Sequence, residues 1–97
     1  MRHFYRSHLT PVQVLAQADA FFPTIEEKLT ASAARSRTYA GPLGTLRLSA
    51  RSEAGHYTFV EIDTDQMGES RLDRNAKRFY VELHRAADPA VTLAAAF

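Results

Sequence analysis

The stretch TLRLSARSEAGHYTFVEIDT, residues 45–64, alternates apolar and polar side chains on both sides of a central glycine. A period of two is that of a strand with one buried face, so the stretch predicts a β-hairpin. Leu46, Leu48 and Ala50 fall on one face of the first strand, with Arg47, Ser49 and Arg51 on the other. In the second strand Thr58, Val60 and Ile62 oppose Tyr57, Phe59, Glu61 and Asp63. A three-residue loop Glu53-Ala54-Gly55, with glycine in its left-handed position, pairs 52 with 56 and then 50 with 58, 48 with 60 and 46 with 62. That register opposes Arg47 to Glu61 as a cross-strand ion pair, Ser49 to Phe59 and Arg51 to Tyr57. A slip of one residue would place leucines beside Glu61.

A sheet with one apolar face needs a cover, and the cover is legible downstream. Leu72, Ala76, Phe79, Tyr80 and Leu83 recur at i, i+4, i+7, i+8 and i+11, which predicts a helix over residues 71–86. Ser70 with Asp73 caps its start, and Asp73 with Lys77 and Arg78 with Glu82 are spaced for surface ion pairs. Upstream, Thr10, Pro11 and Gln13 form a capping box with proline at the first helical position. The helix they start carries Val12, Leu15, Ala16 and Phe22 at helical spacing and breaks near Pro23. Thr24 and Glu27 repeat the capping spacing, which predicts a second short helix or kinked continuation to about residue 33. RHFYRSHL at the N-terminus has the aromatic content of an edge strand, and a further strand at 35–40 leads into the turn GPLG. The expected fold is a single α+β domain over residues 1–97. It has an antiparallel sheet of three or four strands, an N-terminal helix broken near Pro23 and a long closing C-terminal helix. Val91, Leu93 and Phe97 make residues 88–97 a docked tail, along the closing helix or across a dimer interface.

Composition narrows the chemistry. The 97 residues are 45% hydrophobic, without cysteine and with a net charge of +1. Disulfides and thiolate sites are therefore excluded, and no global field draws the chain to nucleic acid or an anionic membrane. No apolar run has the length of a membrane span, so the expectation is a cytoplasmic protein with no membrane partner. EIDTDQMGESRLDRN, residues 61–75, places Asp63, Asp65 and Gly68 at positions 1, 3 and 6 of a calcium loop, but Met67 stands at position 5 and Arg74 at position 12. A strand-to-helix turn accounts for the stretch better. His3, His8, His56 and His84 are scattered, the four glycines sit singly in turns, and no nucleophile elbow occurs. Glu61 and Asp63 share a strand face, but Glu61 is assigned to Arg47. No catalytic residue, metal or cofactor is assigned.

What is left over is the polar face of the hairpin, where Arg47, Arg51, Tyr57, Phe59 and Glu61 place arginines beside aromatics. Three partners suit such a face: a second copy of the chain, a small apolar ligand, or single-stranded RNA stacked on the aromatics. The chain's own N-terminal helices are the fourth candidate cover. Arg71, Arg74, Arg78 and Arg85 add a basic stripe to the closing helix, interrupted by Glu82. The expected function is non-catalytic: binding or self-association as a homodimer through this face and the apolar tail.

The order of elements, a strand, a helix opening at TPVQV, a break at FFP, then strands and the long helix SRLDRNAKRFYVELH, resembles a pared-down helix-grip domain of the START and polyketide-cyclase-like group. That resemblance implies an apolar ligand held between a curved sheet and the C-terminal helix, and it carries over no catalytic residue. The same order is also similar to the small ribosome-bound hibernation factors, which implies an RNA-associated role.

Overall fold

The computed structural model describes residues 1–88; the proposed tail contacts of Val91, Leu93 and Phe97 lie outside them. The elements are β1 (Arg2–Ser7), α1 (Pro11–Phe21), a 3-10 turn (Phe22–Ile25), β2 (Lys28–Ala33), β3 (Ser36–Gly41), β4 (Gly44–Glu53), β5 (Tyr57–Thr64) and α2 (Arg71–Ala87). The strands form one antiparallel sheet in the order β1-β5-β4-β3-β2. The α+β class is as expected, but the sheet has five strands rather than three or four.

The fifth strand replaces the predicted helix over 24–33. Thr24 does not cap: its hydroxyl donates to the Phe21 carbonyl at 2.6 Å, and the Glu27 N–H goes back to the Phe22 carbonyl. Glu26 then adopts a left-handed φ of 64°, which reverses the chain and delivers Lys28 into the sheet. The capping spacing was present, but Pro23 at the head of the turn tightened the backbone into 3-10 geometry instead.

The first helix starts as predicted. Thr10 Oγ1 accepts from the Gln13 N–H at 3.2 Å, and Gln13 Oε1 accepts from the Thr10 N–H at 2.9 Å. Its buried stripe is Val14, Leu15 and Ala18, continued by Phe22, while Val12 and Ala16 face outward. The predicted stripe was therefore rotated by part of a turn. At the start of α2 the Ser70 hydroxyl accepts from the Asp73 N–H at 3.0 Å, and Leu72, Ala76, Phe79, Tyr80 and Leu83 are all buried as the period predicts.

The β4–β5 hairpin keeps its predicted faces but not its predicted partners. Gly55 and His56 both take positive φ, 88° and 69°, so the loop is Ala54-Gly55-His56 and the ladder closes on Glu53 and Tyr57. Every pairing moves by two residues: Leu46 faces Thr64, Leu48 faces Ile62 and Ala50 faces Val60. A shift of two preserves which side chains are buried, which is why the hydrophobic pattern could not detect it.

Both helices pack on the same face of the sheet. Leu46, Leu48, Ala50, Val60 and Ile62 are wholly buried beneath them. Phe22 joins the layers, its ring 4.9 Å from Tyr39 on β3 and 5.1 Å from Phe79 on α2. Polar pins fix the helices in place. Tyr39 donates to Asp19 on α1 at 2.6 Å, and Arg37 adds a contact to the same carboxylate at 3.3 Å. Buried Asp73 on α2 accepts from Ser70 at 2.6 Å and Thr64 at 2.8 Å, with His3 Nε2 of β1 also 2.8 Å away. Among the described residues, both helices therefore leave the second sheet face uncovered.

Candidate functional site

That second face is built by strand alternation. β1 contributes Arg2, Phe4 and Arg6; β5 contributes Phe59, Glu61 and Asp63; β4 contributes Arg47, Ser49, Arg51 and Glu53. β3 and β2 add short side chains, Ser36 and Thr38 opposite Ala33 and Ala31, with Lys28 opposite Ala40 the one long side chain, at the end of β2. The face thus has a raised half of aromatic and arginine side chains and a low half of serine, threonine and alanine.

Phe59 is the centre of the raised half. The Arg51 guanidinium lies 4.8 Å from its ring centroid and that of Arg6 5.3 Å, while the Phe4 ring is 5.5 Å away. Phe4 is 56% exposed, a large apolar group standing in solvent on the β1 edge. Most of the surrounding charge is matched within the face. Arg2 reaches Asp63 at 2.8 Å and Glu61 at 3.3 Å, and Arg6 reaches Glu53 at 3.1 Å. The Asp63 hydrogen bond, with the charges of Asp63 and Glu61, raises the Arg2 pKa further. Exposed pairs of this kind add little stability, but they fix where the side chains stand.

The residues selected from the sequence are brought together in part. Arg51 and Phe59 meet, though as cross-strand partners rather than diagonal neighbours. Glu61 is not paired with Arg47: the two-residue register shift sets Arg47 opposite Asp63, and Glu61 turns to Arg2 on β1. Arg47 makes no ion pair among the described residues. Tyr57 sits at the hairpin tip, its ring 4.9 Å from His8. Two surface pairs on α2 are also corrected. Asp73 is buried, so Lys77 pairs with Glu69 at 3.1 Å, and Arg78 lies over the Phe21 ring at 5.4 Å while Glu82 meets Arg85 at 3.7 Å. In the acidic turn Asp63 serves Arg2, Asp65 accepts from the Thr45 N–H at 3.0 Å, and Gly68 takes a φ of 70°.

Phe4 was missed although its signal was present. Arg2, Phe4 and Arg6 alternate with His3, Tyr5 and Ser7, which is enough to put an aromatic and two arginines on one side of a strand. Which sheet face that side joined required the β1–β5 pairing. No helix among the described residues is long and apolar enough to cross a membrane. Compared with models of known protein families and with curated proteins, the chain matches none.

Proposed function

We propose that the protein is a non-catalytic, self-associating domain whose uncovered sheet face packs on the same face of a second copy. The observation that carries this is the division of the face into a raised and a low half. A two-fold axis running along the strands between β3 and β4 would set each raised half over the partner's low half, so that Arg47 lies against Thr38 and Glu61 against Ala33. An isologous contact needs this kind of self-complementary patch. The charge pattern supports the same partner, because Arg2 and Arg6 are already matched to carboxylates, leaving little net attraction for a polyanion. An apolar ligand between the sheet and α2, as in a helix-grip domain, takes second place because Leu46, Leu48, Ile62, Phe79 and Leu83 occupy that layer.

Arg47→Glu and Thr38→Arg test the proposal from its two halves. Each residue is at least partly exposed and neither change empties the core. By sedimentation velocity each is expected to weaken dimerisation about tenfold or more while leaving the circular dichroism of the chain unchanged. Variants that associate as wild type does would reject this face as the interface. Retardation of single-stranded RNA at low salt, lost with Arg47→Ala, would favour a nucleic-acid surface instead.

A further inference from the structure

Glu27, immediately before β2, is fully buried, and neither carboxylate oxygen has a hydrogen-bond partner among the described residues. A buried carboxyl without a donor is costly, so a residue that serves packing alone would be expected to be apolar. The fold makes specific room for it. Continuing the β2–β3 register beyond Lys28 and Ala40 brings Glu27 beside Gly41, and a Cβ there would collide with Glu27 Oε2 and with the Glu26 carbonyl. The missing side chain at position 41 is the space the carboxyl fills.

Glu27 also belongs to the lining of an open groove of about 770 Å³ between the 3-10 turn and the β2–β3 strands. Its other walls include Pro23, Leu29, Ala40 and Pro42, so the groove is apolar apart from Glu26, Glu27 and Lys28. Glu26 and Lys28, the other charged residues along the groove, are both exposed. An apolar groove beside a buried, unpartnered carboxyl has the chemistry of a site for an organic cation.

We infer that this groove binds a small molecule carrying a protonated amine on an apolar body, the ammonium taken by Glu27 and the body lying against Pro23, Leu29 and Pro42. Binding requires the Glu27 side chain to rotate toward the groove, whose walls lie at the surface: Leu29 is half exposed and Pro42 exposed. The ammonium supplies the donors that the chain does not, and the apolar walls exclude water from the pair. The groove meets the sheet face only at Lys28 and Ala40, and the assignment does not depend on dimerisation.

The test is a titration of the full-length 15N-labelled protein with n-hexylamine, 1-hexanol and hexanoate, followed through backbone amide shifts. Hexylamine is expected to give saturable shifts at Leu29, Ala40 and Gly41, with 1-hexanol at least about tenfold weaker and hexanoate weaker still. Glu27→Gln, nearly isosteric, should remove the preference for the amine over the alcohol. Equal binding of hexylamine and 1-hexanol by the wild-type protein, no saturable shift with hexylamine, or a preference that survives in Glu27→Gln would each overturn the assignment. The wild-type comparison decides the matter even where the variant folds poorly.

Discussion

Two buried carboxylates pull the stability of the fold in opposite directions with pH. Burial alone would push the Asp73 carboxyl up, but hydrogen bonds from Ser70, His3 and Thr64 outweigh it and hold the pKa below the ordinary value. A depressed carboxylate contributes stability above its unfolded pKa and loses it as pH falls through the folded one. Glu27 is the reverse case, raised by burial and then by the charge of Asp65. Its folded form favours the proton, so stability is lost as pH rises from the ordinary value of about 4.5 through the raised one. The melting temperature should therefore rise as pH falls from neutral toward that value and drop below it as Asp73 protonates. Glu27→Met should raise stability at neutral pH by about 1–3 kcal/mol and flatten the upper limb. Asp73→Asn should cost about 1–3 kcal/mol in urea and shift the acid limb. A wild-type melting temperature that is flat from neutral to mildly acidic pH, or a destabilised Glu27→Met, would contradict the assignment of Glu27. Neither residue could be identified from its neighbours in sequence. Asp73 looked like a helix-surface partner for Lys77, and its partners His3 and Thr64 come from strands distant in the chain.

Among the elements, those with a long period and a local cap were legible, and those set by backbone reversal were not. The apolar stripe of α2 survives intact because five buried side chains over three turns leave one solution for its facing direction. Phe79 is the keystone of that stripe, its ring meeting both Phe21 and Phe22 at 5.4 and 5.1 Å. Phe79→Ala should cost about 3–5 kcal/mol, enough to unfold much of so small a domain, as thermal melting or urea denaturation would report. A variant with wild-type stability would mean that α2 is not packed as described. By contrast, β2 is exposed along its length and has no apolar alternation to announce it. The left-handed Glu26 that creates it is one residue with no glycine to signal the turn. The hairpin register failed for the same reason, since His56 takes a left-handed conformation that sequence reasoning assigned to glycine alone.

At the scale of the molecule, the fold is two-layered, and only one side of the sheet is covered by the described residues. Five strands of about six residues give a face of roughly 24 by 20 Å, about 480 Å², which is below the standard of about 800 Å² per partner for a stable interface and in the range of weak, transient ones. Association through it should be reversible and concentration-dependent rather than obligate. What the sequence disclosed of the site was its composition, aromatic and arginine on one hairpin face. The neighbours that divide it into raised and low halves, Phe4 on one side and Ser36, Thr38 and Ala40 on the other, became visible only when the strand order was known. The most direct measurement is the mass of the wild-type protein by light scattering across a concentration series from low micromolar to near millimolar. Self-association through the sheet face predicts a rise from the mass of one chain to that of two, with a plateau at two. A single-chain mass throughout would contradict it.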